Sequence, residues 1–249
     1  MTDERDRAEP ELRVLAEREG VILAAKPARY ASEPTPHGTP SVVQELSRHY
    51  GGRPLHAASR LDVGVSGVVL CTLGHEAARH VASLRAAGRL HHSYVGIAEG
   101  ELTGAGSWTW ALGRGRDLAG RPVARSGGGD TRPALTHYAV VAAAGAGTLA
   151  CFRLATGRMH QIRAHAARAG VPLFGDRRYG GPTSLSDSAG RVHAIERVAL
   201  HCARVELEGL LVAEAPVPEE LCRLWRLLGG GDEAWERAAR LGRAAKLVQ

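Results

Sequence analysis

Ser59-Arg60-Leu61-Asp62 followed by Ser66-Gly67, and, much further along, Thr156-Gly157-Arg158-Met159-His160-Gln161-Ile162-Arg163 are the stretches on which the reading of this chain turns. Each sets charged residues between apolar ones and beside a turn glycine, so the charges belong to a structured surface rather than a loose solvated face. Along an extended segment side chains repeat every second residue, so Arg60 and Asp62 project together while Leu61 turns to the core. Val63-Gly64-Val65-Ser66-Gly67 then turns into Val68-Val69-Leu70-Cys71, a β-branched run expected as a strand buried on both faces. Thr156-Gly157 makes a turn before a short helix over Met159–Arg168, closed by Gly170, with His160 and Arg163 on one face and Ile162 toward the core. A helix start carrying an Arg, a His and a Gln is an anion seat. Taken singly, each motif also has an ordinary reading: an aspartate in a turn is as a rule an Asx-turn or ion-pair partner, and the helix an ordinary capped one.

Outward from these segments, strands and helices interleave and some consecutive strands form hairpins, which defines a mixed α+β class. Val21–Ala25 reads as a strand stopped by Lys26-Pro27, since proline cannot donate to a ladder. Ser41–Tyr50 reads as a helix with Ser41 as N-cap and Gly51-Gly52 closing it. A helix opens at Gly74-His75 and ends near Gly88, and His91–Glu99 alternates as a strand. Ala134–Ala143 and Thr148–Ala155 form a hairpin over Gly145-Ala146-Gly147. Val198–Leu207 is a further strand, and Pro216–Leu228 and Asp232–Leu247 are helices. Residues 1–18 read as a frayed lead-in or short exposed helix, 175–190 as a loop, and 100–133 as a flexible basic insertion with at most a weak hairpin around Trp108 and Trp110. Gly127-Gly128-Gly129 reads as linker, and no internal repeat is visible. The expected organisation is a flexible extension over 1–18, one catalytic domain over 19–228 and a helical tail over 229–249.

Charge sets the class of partner. The net charge is +6, and thirty of the 32 basic residues are arginines, Lys26 and Lys246 being the two lysines. The first twenty residues hold seven acids against four arginines, so the remainder carries +9. A basic body favours an anionic partner, nucleic acid first. Cys71, Cys151, Cys202 and Cys222 are widely spaced among apolar neighbours, which suggests buried free thiols in a reducing cytoplasm. The acidic N-terminus is unlike a signal peptide, and Ala139–Phe152 is too short to span a bilayer.

Several chemistries are excluded. His160 and His165 lie five apart and not on one helical face, and His91-His92 point to opposite sides of a strand, so no metal site is expected. Gly64-Val65-Ser66-Gly67 lacks the closing glycine of a hydrolase elbow, having Val68 there. With two lysines only, no phosphate-binding P-loop exists.

The order Lys26-Pro27, Arg60-Leu61-Asp62, Ser66-Gly67, Tyr94 before Gly100, Ala134-Thr136-Tyr138, Thr156-Gly157-Arg158, His160-Gln161-Ile162-Arg163, Gly175-Asp176, Tyr179-Gly180 and Leu200-His201 resembles the RluA-type family of RNA pseudouridine synthases. The match runs from about residue 20 to about residue 225, and its order is more specific than any one motif. The resemblance implies a bent, largely antiparallel mixed sheet flanked by helices, with a central RNA cleft. It implies isomerisation of uridine to pseudouridine in rRNA or tRNA by base flipping, with no cofactor, nucleotide or metal. The cysteines, the acidic N-terminus and the short apolar runs suggest a soluble cytoplasmic protein, and a monomer is the default for a cleft that admits folded RNA. Asp62 would be the catalytic carboxylate, attacking the ribose or abstracting a sugar proton. Arg163 would pair with it, Tyr94 would lie against the uracil, and Arg60 would fill the space the base leaves. Lys26, Arg158 and His160 would bind RNA. Ser59, Val63, Val65, His92 and Met159 depart from the family's usual His, basic residue, Thr, Lys and Thr. Because these changes surround the chemical core, a weakly active or inactive RNA-binding protein on the same scaffold is the second expectation.

Overall fold

The computed structural model describes residues 12–244 except 37, 118, 128, 129 and 188. The chain forms two compact units, one running to His91 and taking in Arg204–Pro216, the other holding His92–Ala203 and the chain from Val217 onward.

The first unit opens with β1 (Arg13–Arg18), β2 (Val21–Lys26), α1 (Val42–His49), β3 (Leu55–Ala57), β4 (Ser66–Leu73) and α2 (His75–Ala86). β2 pairs antiparallel with both β1 and β4, and β3 pairs with β4. The register Ile22↔Cys71 and Ala24↔Val69 brings four apolar side chains to one face, where Val42 and Leu46 of α1 cover them with Leu55. Val21, Leu23, Val68 and Leu70 alternate to the other face and are equally buried, so these strands read as continuous apolar runs. α1 begins where the Ser41 hydroxyl accepts the Gln44 N–H at 3.2 Å, as its sequence requires. The lead-in expected over 1–18 is corrected where it is described. Residues 13–18 are a strand, because Leu12 and Val14 join the α1 cluster and β2 offers its edge. Residues 1–11 lie outside the described residues.

β5 (Leu90–Glu99) begins in the first unit and continues into the second. There follow β6 (Ala105–Trp108), β7 (Leu112–Arg116), β8 (Pro122–Ser126), β9 (Thr131–Arg132), β10 (Thr136–Ala144), β11 (Gly147–Leu154), α3 (Gln161–Arg168), β12 (Ser184–Ser186) and β13 (Val192–Ala194). The antiparallel order β5-β11-β10-β6 makes the second unit's main sheet. β7 carries β8 on one side and β9 on the other as a separate small sheet, and β12 pairs with β13. β14 (Leu200–Leu207) re-enters the first unit, where its last residues pair with β15 (Leu211–Glu214), a strand the sequence reading missed together with β3.

α4 (Glu219–Leu227) and α5 (Glu233–Arg243) complete the second unit. Leu221, Leu224 and Trp225 of α4 pack on Ile97, Leu149 and Phe174. α5 packs Ala238 on Val95, Ala139 and Cys151, and Arg153 donates to the Gly242 and Ala244 carbonyls at 3.2 and 2.6 Å. The end of the helix expected over Asp232–Leu247 lies outside the described residues.

Residues 100–133 are more regular than their glycine content suggests. Leu112 of β7 and Ala124 of β8 bury with Ala134 against Ala164 of α3, while Arg114, Arg116 and Arg125 stay exposed. Trp108 ends β6 with its ring 4.8 Å from Tyr138, so the hairpin lies one step later than expected, at β7–β8. The loop expected over 175–190 likewise contains a strand of the β12–β13 hairpin. Both hairpins turn on the same five-residue pattern, a local repetition the sequence reading did not see. Asp117 Oδ1 accepts the N–H groups of Ala119 and Arg121 and its Oδ2 holds Arg121 Nε, and Asp187 treats Ala189 and Arg191 identically. His193 adds a hydrogen bond to Asp187 and, with the Arg191 N–H, holds that carboxyl down at about 2.

Cys71, Cys151 and Cys202 are buried thiols outside any disulfide, and burial pushes the first two up to about 12. Cys222 is half-buried rather than buried, because its part of α4 is only partly covered. Among the described residues no helix is long and apolar enough to cross a membrane, and no cluster of His, Cys, Asp or Glu could hold a metal ion.

Candidate active site

In the first unit, the segment bearing Asp62 is held by its backbone. The Ser32 hydroxyl accepts the Leu61 N–H at 2.9 Å and donates to the Leu61 carbonyl at 3.1 Å. Leu61 is buried and Asp62 half-buried, so the alternation expected for 60–62 is present. The turn then closes through Val65 N–H to Asp62 O at 2.9 Å and Arg29 N–H to Val63 O at 2.7 Å. Ser59, where the family usually has His, accepts the Leu70 N–H on its hydroxyl and ties the segment to β4. Arg60 is exposed and meets Glu33 at 3.3 Å, a pair open to water and therefore weak.

Lys26 differs from its expected place at the RNA surface. It is 2 % exposed, and its ammonium donates to the carbonyls of Pro27 at 3.0 Å and Tyr30 at 2.7 Å, with Val63 at 3.4 Å. A buried ammonium needs such acceptors. This one therefore shapes the loop around residue 63 instead of meeting solvent.

In the second unit, α3 starts at Gln161, later than expected, because His160 adopts a left-handed conformation (φ 51°, ψ 26°) and offers no side-chain cap. Gln161 does the fastening. Its Oε1 accepts the Arg158 N–H at 3.0 Å and the Thr156 hydroxyl at 2.7 Å, and its Nε2 donates to Leu135 O and Thr136 Oγ1, both at 3.0 Å. His160 and Arg163 thus do not share a helical face as expected; they meet through a third residue. Tyr179 places its hydroxyl 3.0 Å from His160 Nδ1 and its ring under the Arg163 guanidinium, 5.1 Å away. Arg163 is 8 % exposed and makes a two-bonded fork to Asp176, Nε to Oδ2 and Nη2 to Oδ1, both at 2.7 Å. Arg158 is half-buried and donates from Nε to Pro133 O at 3.1 Å. Tyr94, on β5, is buried opposite Phe152 with its ring near-parallel to that of His92 at 6.5 Å.

The sequence assigns no role to Gly175-Asp176 and Tyr179-Gly180, and it offers His165 only as half of an unsuitable metal pair with His160. The His165 imidazole is buried, with Nε2 2.8 Å from Trp110 O and Nδ1 2.9 Å from Thr136 Oγ1. A carbonyl only accepts, so the ring carries its proton on Nε2 and accepts the threonine hydroxyl on Nδ1. Burial, with Arg168 adding to it, pushes its pKa below the ordinary histidine value. The sequence signal for its burial was the histidine itself, in the helical stretch from Gln161 to Ala166 that buries as a whole.

With this geometry in place, comparison with known proteins defines the class. Residues 20–168 match the RNA pseudouridylate synthase family model. The chain is 34 % identical over 230 residues to the RNA pseudouridine synthase YhcT of Bacillus subtilis, covering 87 % of this chain and 72 % of that one. It is 33 % identical over 249 residues to the ribosomal large subunit pseudouridine synthase D of Xanthomonas campestris, covering 93 % and 73 %. Among solved structures, human RNA pseudouridylate synthase domain containing 4 superposes with a TM-score of 0.68 at 20 % identity, over 87 % of this chain and 93 % of that one. The chain belongs to the RluA-type RNA pseudouridine synthases, with their fold and their isomerase activity on RNA.

Proposed function

We propose that Asp62 supplies the carboxylate of this isomerase, with Arg163 as its cationic partner in the reaction and Tyr94 lying against the uracil. The single observation that carries this is positional. The matched family region contains Asp62, Tyr94 and Arg163 in order, and the segments bearing Asp62 and Arg163 are each fixed by buried hydrogen bonds. A catalytic group must be held still before the substrate arrives, because its alignment is otherwise lost to side-chain freedom.

The target base leaves the RNA stack to reach these groups, and exposed Arg60 takes its place there. The carboxylate either attacks C1′ or takes a proton from the sugar. The N1–C1′ bond breaks, uracil turns, and C5 bonds to C1′. The C5 proton leaves, with Tyr94 taking part, and N1 gains one, so the composition of the RNA is unchanged. Arg158, His160 and the exposed arginines of β7 and β8 hold phosphates. The names of the ribosomal relatives support a uridine in rRNA as substrate. The free thiols support a reducing compartment.

Tritium release from RNA labelled at uracil C5 tests the assignment. The native chain releases tritium and Asp62→Asn loses the activity by at least about 10³-fold. Release that persists in Asp62→Asn removes this residue from the chemistry.

A further inference from the structure

The Asp176–Tyr179 turn has no part in the chemistry just described, yet it holds several buried or part-buried polar contacts of the second unit. It folds back on itself, with Tyr179 N–H and Gly181 N–H both reaching Asp176 O at 3.0 Å. This presents the Asp176 carboxylate and the Tyr179 ring together. The carboxylate is fully buried and grips one edge of the Arg163 guanidinium through two bonds of 2.7 Å. The Tyr179 ring covers the face of the same guanidinium at 5.1 Å. A planar cation gripped along an edge and covered on a face has lost both the swing and the twist of its plane.

The other end of Tyr179 reaches elsewhere. Its hydroxyl accepts the Ala124 N–H of β8 at 2.7 Å and lies 3.0 Å from His160 Nδ1. The ring packs into the cluster of Leu112, Ala124, Ala134 and Ala164 that joins the small basic sheet to α3. One side chain therefore touches the candidate catalytic arginine with its ring. With its hydroxyl it touches the sheet bearing Arg114, Arg116 and Arg125, and an expected RNA-binding histidine.

We propose that Asp176 and Tyr179 are positioning residues acting through Arg163, and that Tyr179 divides two tasks: its ring orients Arg163 for turnover, and its hydroxyl aligns β8 and His160 for RNA binding. This rests on the reading of Arg163 as a group used in the reaction. Asp176 sets the guanidinium plane, and Tyr179 makes the seating of RNA on the small sheet and the alignment of Arg163 properties of one rigid element.

The test is steady-state tritium release by the full chain, with kcat and KM for labelled rRNA measured separately on variants whose circular dichroism and melting match the native protein. Arg163→Lys lowers kcat. Asp176→Asn lowers kcat by about 10- to 100-fold with KM within about threefold. In the Arg163→Lys background the same Asp176→Asn change lowers kcat by no more than about twofold, because its effect runs through the arginine already altered. Tyr179→Phe keeps the ring, so kcat holds within about twofold while KM rises about three- to tenfold; Tyr179→Leu lowers kcat as well. If Asp176→Asn does not fold, the Tyr179 pair carries the test alone. Native kcat in both Asp176→Asn and Tyr179→Leu, beside a defective Arg163→Lys, overturns the positioning role and leaves the reading of Arg163 standing. A full multiplicative loss in the double variant also overturns it. Native kcat in Arg163→Lys removes the reading of Arg163 and the positioning role with it.

Discussion

At the scale of single residues, the neighbours of a side chain decide what it does more than its type. Lys26 could have met a phosphate, but carbonyl oxygens surround its ammonium and make it part of a loop. His165 shows the same logic with a pH consequence. The folded protein holds it neutral between Trp110 O and Thr136 Oγ1, with a pKa below the ordinary 6.5. The unfolded chain then binds a proton that the folded chain refuses, so this contribution to stability is present above 6.5 and is lost as pH falls toward the folded value. His165→Gln is expected to show a smaller drop in melting temperature than the native protein between about pH 7.5 and about pH 5. An equal drop in both would mean that other groups account for the acid sensitivity. Asp62, Arg60 and Arg163 were legible as candidates because charges flanked by apolar residues and turn glycines are rarely loose. The fork from Arg163 to Asp176 was not, since nothing local to either residue marks it.

At the scale of elements, the turns decide where functional side chains can stand. Gly175 precedes Asp176 at φ 74°, and a Cβ there would lie 1.9 Å from Arg197 O. Both the left-handed backbone and the lack of space require glycine. Gly175→Ala is therefore expected to destabilise the protein by about 2–4 kcal/mol in urea unfolding, with a matching fall in turnover as the Asp176 turn shifts. A variant within about 0.5 kcal/mol of native would show that the turn can relax cheaply. α1 was legible end to end, since Ser41 and Gly51-Gly52 carry its cap and its stop in local chemistry. β1 and the β7–β8 sheet were not. Their charges and glycines resemble loop, and they form strands because β2 and α3 supply faces for Val14, Leu112 and Ala124.

At the scale of the whole molecule, net charge sets how strongly RNA is held. With +6 overall and the basic residues almost all arginine, affinity for RNA should fall steeply with salt. Replacing Arg114, Arg116 and Arg125 together by Ala removes three exposed cations from the small sheet. This is expected to reduce the log–log salt slope of RNA binding by about 2, taking about 0.7 per phosphate contact for a single strand. An unchanged slope would place the phosphates elsewhere. The sequence by itself determined the class of the protein and the order of its strands and helices over most of its length, and it named the candidates for chemistry. These depend on periodicity, caps and motif order, which are properties of neighbours along the chain. Only the tertiary structure decided that Lys26 is interior, that His160 and Arg163 meet across Tyr179, and that Asp176 holds the arginine. Such partners are separated in sequence, and burial, which gives a hydrogen bond or ion pair its strength, exists only once the chain has folded.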